Sequence, residues 1–121
     1  MEKIIISLIQ MQQQMRIFHW QTKSYARHVA FGEAYDTLSD LIDTFVEVCM
    51  GKHGRFVLNA ANTIHLSNLS DVSCHSFLDA SCEMLKQISS ALDPECDTDL
   101  LNIRDEMLAE VNKLKYLNTL E

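Results

Sequence analysis

Two histidines, His19 and His28, stand ahead of a run in which acids recur every three or four positions: Glu33, Asp36, Asp40, Asp43 and Glu47. Imidazole nitrogen with carboxylate oxygen is a donor set that ferrous iron, manganese and zinc accept, with positions left open for water or an oxidant. Asp43 and Glu47 are four apart and so share one helical face. At about 100° per residue, the apolar stripe of this segment centres near Leu38 and Phe45, and the acids centre on the opposite side. A site built from them is therefore expected to form between two chains. Asp36 and Asp40 taken alone read as the solvated face that any amphipathic helix needs. No E-x-x-H occurs in the chain, so the inward di-metal cage of some four-helix bundles is not expected.

The remaining candidates read as structure. His53, His65 and His75 have no carboxylate at persuasive ligand spacing and read as loop or cap residues. Cys49 and Cys82 fall on helical stripes as small core residues, and Cys74 beside His75 is half of a zinc pattern without its second half. Glu106 and Glu110 repeat the four-residue spacing with no histidine nearby, which reads as salt-bridged surface. The four cysteines (Cys49, Cys74, Cys82 and Cys96) form no C-x-x-C, so reduced thiols in a cytoplasmic protein are expected.

Positioning these groups requires helices. The 121 residues suffice for one domain, residues 1–121, and one proline with three glycines leaves little turn chemistry for many strands. An all-α class follows. Ile4, Leu8, Met11, Met15 and Phe18 form one stripe over 4–22; Phe31, Ala34, Leu38, Leu41, Ile42 and Phe45 form a second, with Ser24 as its cap and Gly51 and Gly54 as its stop. Residues 52–72 read as a long connection with room for a short helical turn. Leu78, Cys82, Leu85, Ile88 and Leu92 give a third helix ending at Asp93-Pro94. Asp97 or Thr98 caps a fourth, with Leu100, Ile103, Met107, Val111 and Leu114 as its stripe.

Short first and third links with a long second one match an antiparallel four-helix bundle with one crossover, the ferritin-like plan. On the first helix, Ile5, Ile9 and Trp20 lie on a flank away from the core stripe, which a partner is expected to cover. His19 sits between that flank and the core, so a two-fold pairing through the first two helices would bring His19 and His28 of one chain to Asp43 and Glu47 of another. A net charge of −7 without a basic cluster disfavours nucleic acid as a partner, and the opening stretch fits neither a signal core nor a membrane span.

His19-Trp20, His28 and the D-x-x-x-E of Asp43 and Glu47 resemble the signature of the Dps mini-ferritins, and the likeness extends through the four-helix plan. More closely, the sequence is similar to short ferritin-like proteins of phages and large DNA viruses. The resemblance implies a non-haem di-iron ferroxidase site between two-fold related subunits. His19, Asp43 and Glu47 would be its catalytic ligands, His28 a further ligand, and Trp20 an interface residue beside the metal. It also implies oxidation of ferrous iron by peroxide or dioxygen, and a hollow oligomer, of 12 subunits in that family, storing ferric mineral. The chain departs from the pattern in three places. The segment between His19 and His28 is about three residues shorter; Gly32 stands where many members carry an aspartate ligand, leaving Glu33 or Asp36 as substitutes; and no basic N-terminal tail is present to bind DNA. Two other readings stay open: a ferritin-like scaffold without turnover, and a zinc or manganese binder that stores nothing.

Overall fold

In a computed structural model that describes residues 1–70 and 72–120, the chain is all-helical: α1 (Glu2–Gln21), α2 (Tyr25–His53), α3 (Cys74–Gln87) and α4 (Thr98–Leu117), with a short 3-10 turn (Ile88–Ala91) after α3. Among the described residues no helix is long and apolar enough to cross a membrane. Each boundary has a local cause. The Ser24 hydroxyl accepts the Arg27 amide, and the Ser73 hydroxyl the Ser76 amide, which caps α2 and α3. Helix α2 runs through Gly51 and stops at Gly54, whose φ of 86° is open to glycine alone without strain and whose amide returns to the Met50 carbonyl. Asp97 sits at the start of α4, yet its carboxylate bonds the Asp93 amide rather than the α4 amides.

The expected stripes meet in one core. Leu8, Met15, Phe18, Phe31, Leu38, Phe45, Leu78, Leu85, Leu100 and Met107 are wholly enclosed, and Phe18 sets its ring edge-on against Phe31 and Phe77 at 5.8 and 5.3 Å between centroids. Cys49 and Cys82 lie in this core, and so does Cys74. Helices α1 and α2 register through His19 with His28 and Gln12 with Ser39. Helices α3 and α4 register through Arg104, whose guanidinium donates to the Leu85 carbonyl and the Ser89 hydroxyl, and through Lys115 with Asp79.

Between α2 and α3 the chain travels extended along α1, with no helix among its described residues. Side chains of α1 hold it: the Asn59 amide donates to Glu2, the His65 amide to Gln10, the Ser67 amide to Gln14 and the Leu69 amide to Gln21. Gln14, itself buried, also donates to the Ser67 carbonyl, so that its amide pairs with that residue as a neighbouring strand would. The fit is metric. One step of four residues on a helix advances about 6 Å and two residues of extended chain advance about 6.6 Å, so Gln10 and Gln14 meet His65 and Ser67 in turn.

Three expectations change. Ile5 is 3% exposed and Ile9 half-buried, because α2 lies along that flank, as the Gln12–Ser39 bond one heptad away shows; only Trp20, 61% exposed, faces outward there. The third helix ends at Gln87 and tightens into the 3-10 turn, where Arg104 donates to the Leu85 and Lys86 carbonyls of the last α3 turn and to the Ser89 hydroxyl. Glu106 and Glu110 make no ion pair among the described residues.

Candidate functional site

The link between α1 and α2 is only Thr22, Lys23 and Ser24, which forces the last turn of α1 against the first turn of α2. His19 and His28 stack there, their ring centroids 3.9 Å apart and their planes 16° from parallel. His19 Nδ1 lies 2.6 Å from the His28 carbonyl oxygen, and His28 Nδ1 lies 2.8 Å from the His19 carbonyl oxygen. A carbonyl can only accept, so each Nδ1 must carry the proton and donate. That fixes the tautomer. In both neutral rings the lone pair then resides on Nε2, the arrangement in which a histidine binds metal with its other nitrogen tied to a carbonyl.

Gly32 makes room for this pair. A Cβ built on it would stand 2.9 Å from His19 Cε1 and 3.0 Å from His19 Nδ1, closer than such atoms approach. Any side chain at this position would push the His19 ring from its stack. An open cavity of about 370 Å³ borders the rings, lined also by Glu33, Asp36 and Arg16. Arg16 lies between two aromatic faces, 5.0 Å from the Trp20 ring centroid and 4.7 Å from that of Tyr35. Its hydrogen bond holds the Tyr35 hydroxyl below its ordinary value.

Asp43 and Glu47 lie elsewhere on the same helix. Fifteen residues separate His28 from Asp43, or about 22 Å along α2, so one chain does not bring the histidines and these two acids together. Both acids are exposed, and the adjacent Asp43 carboxyl, by hydrogen bond and by repulsion, raises that of Glu47 above its usual value. Glu33, Asp36, Asp40, Asp43 and Glu47 form one exposed ridge, and none of them is in an ion pair among the described residues. Nor does any group of three or more His, Cys, Asp or Glu side chains among those residues have the geometry to hold a metal ion.

The other histidines are placed as loop and cap residues. His53 closes α2 beside Asp97, His65 sits in the extended crossing, and His75 meets Asp79 at 3.2 Å in the first turns of α3. The sequence reading missed the reciprocal histidine bonds, the steric role of Gly32 and the Arg16 sandwich. Only the last left a signal, a cation four residues before an exposed tryptophan.

A family model described as a family of unknown function, DUF5856, matches residues 19–117, which span the histidine pair, the acid ridge and all of α2 to α4. Among curated proteins, an uncharacterized 14.6 kDa protein in the mobD–ri intergenic region of Enterobacteria phage T4 is 51% identical over 37 residues, covering 31% of this chain and 29% of that protein. The match thus spans less than a third of the phage protein's length. No solved structure matches the chain.

Proposed function

The chain belongs to the DUF5856 family, whose function is unknown, and from its own residues we propose an iron-handling role: two copies pair through the outer faces of α1 and α2 and take ferrous iron between them. His19 and His28 of one copy would meet Asp43 and Glu47 of the other, with Glu33 and Asp36 beside the rings. The observation that carries this reading is the histidine pair, with both Nδ1 atoms committed to carbonyls and both Nε2 lone pairs left over. Unpaired carboxylates on the same face supply the negative charge that a divalent cation requires. The helix order, with a long crossing between α2 and α3, accords with a ferritin-like antiparallel bundle, in which such a site would lie at a two-fold contact.

The chemistry is electron transfer from substrate iron. Peroxide takes one electron from each of two ferrous ions and, with two protons, leaves as two waters; dioxygen would take four electrons and four protons to the same product. The protein contributes ligands that favour the ferric product, an opening that admits the oxidant, and acids that draw in the cation. Repeated turnover inside a closed shell of copies would store the ferric mineral and remove peroxide.

Anaerobic titration of the metal-free protein with ferrous iron, followed by peroxide while ferric absorbance is recorded, tests the reading. Saturable binding near one or two irons per chain with oxidation faster than the protein-free blank is expected; binding and oxidation no better than the blank overturn it. The exposed Trp20, stacked on Arg16, supports a second reading, an interaction scaffold on the same fold, which would show no saturable iron oxidation. Zinc or manganese held without oxidation would identify a metal-binding protein that stores nothing.

A further inference from the structure

The extended crossing between α2 and α3 has two edges, and only one of them is used within the chain. The amides of His65, Ser67 and Leu69 donate in turn to Gln10, Gln14 and Gln21, and the Ser67 carbonyl accepts from Gln14, so every second residue turns its peptide groups toward α1. In extended chain the N–H and C=O of one residue point to the same side and those of the next residue to the opposite side. The peptide groups of Ile64 and Leu66 therefore face away from α1, and no hydrogen bond among the described residues reaches them. An open edge of this kind is ordinarily blunted by charge, proline or a bulge, because it pairs readily with another extended chain. Here none of those devices is present: residues 56–70 hold no Asp, Glu, Lys, Arg, Pro or Gly, in a chain of which 22% is charged. Val57, Leu58 and Leu66 are exposed along it.

We propose that this edge is a docking strand for a second copy of the chain, laid antiparallel to the first about a two-fold axis at His65. The outward groups are placed symmetrically about that residue. Ile64 of one copy therefore exchanges both of its hydrogen bonds with Leu66 of the other, and Leu66 with Ile64, which is the self-complementary pattern a two-fold contact needs. The same register sets each isoleucine beside a leucine across the strands, an apolar pair that adds to the backbone bonds. Charge favours this place of contact: each copy carries −7, and two such chains meet with least repulsion where the strand itself has no charged side chain. The contact uses neither the histidine pair nor the acid ridge, so it stands whether or not iron is bound.

The test is mass in solution by light scattering over a range of protein concentration, with chelator present, while hydrogen exchange is followed at single amides. The expected result is a mass that rises from one chain to two, with exchange at Ile64 and Leu66 slowing at least about tenfold over the same range. Leu66→Pro removes one outward N–H and leaves the bonds to Gln10 and Gln14 in place, so it should hold the chain single with helicity by circular dichroism unchanged. Register is read by cysteine pairing in a Cys96→Ser background, because Cys96 is exposed. Across the axis His65 faces its own counterpart at about 4.5 Å between Cα atoms, within disulfide reach, whereas Thr63, exposed on the same side of the strand, lies roughly 14 Å from its counterpart. Oxidised glutathione should therefore join His65→Cys chains in pairs and leave Thr63→Cys chains single. A chain that stays single at every concentration would overturn the proposal and leave the edge to an extended segment of another protein. A doubled mass that Leu66→Pro leaves intact would also overturn it, as would Thr63→Cys chains that join as readily as His65→Cys chains.

Discussion

Where α2 ends against the start of α4, Lys52 donates to the Cys96 carbonyl at 2.6 Å and pairs with Asp97 and Asp99 at 3.1 and 2.8 Å, while Asp93 accepts the amides of Glu95 and Cys96. At the other end and along the outer face of the same helix, His19 and His28 use one nitrogen each on carbonyls, and five carboxylates have no cationic partner among the described residues. The first region satisfies its polar groups within the chain. The second leaves ligand atoms over, and leftover donors on an otherwise well-satisfied fold are where a function is to be sought.

Changes on the outer face should cost binding, and changes at the corner should cost stability. The largest effect is expected from Asp43→Asn combined with Glu47→Gln, which should weaken ferrous binding by at least about a hundredfold in anaerobic titration while circular dichroism stays that of the native helices. Undiminished binding would return both acids to the role of a wetted helix face. Gly32→Ala comes next: displacement of the His19 ring should weaken binding about ten- to a hundredfold and shift the imidazole resonances of both histidines. A variant with native resonances would show that the ring has another place to go.

At the corner, Lys52→Met should lower the melting temperature at neutral pH without touching iron binding. The Asp93 amide and Lys52 hold the Asp97 carboxyl below its ordinary value, and Lys52 does the same for Asp99. Depressed carboxyls stabilise the fold above their unfolded value of about 4, and that contribution is lost as pH falls through the folded values. The gap between wild type and variant should therefore close under acid. Glu47 has the opposite sign, since a raised carboxyl favours the fold only while protonated and the benefit vanishes as pH rises through its folded value. Glu47→Gln should accordingly raise the melting temperature slightly at neutral pH and leave it unchanged below about pH 4. A loss of stability instead would place Glu47 in a favourable contact within the chain.

Apolar periodicity made the helices legible, because a stripe such as Leu8, Met11, Met15 and Phe18 has one physical use. It could not say what covers a flank, which is why Ile5 and Ile9 read as open: their cover is a separate helix, brought there by a three-residue link whose consequence is geometric rather than local. The residue types of the candidate site were legible too. What escaped was arrangement. Gly32 reads as a missing ligand against the mini-ferritin pattern the sequence resembles and as necessary space once the His19 ring is beside it, and the glutamines of α1 read as mere polarity until an extended segment is laid along them.

That segment has a consequence for the order in which the molecule assembles. The clamps at Gln10, Gln14 and Gln21 join residues 55, 53 and 48 positions apart, whereas the α1–α2 and α3–α4 contacts close much shorter loops. Each clamp bond contributes only about 1 kcal/mol, too little to offset such a closure before the helices have already brought the two stretches near one another. The helix pairs therefore form first and the crossing settles last, so amide hydrogens at His65, Ser67 and Leu69 should exchange with solvent well ahead of those in the helices they accompany.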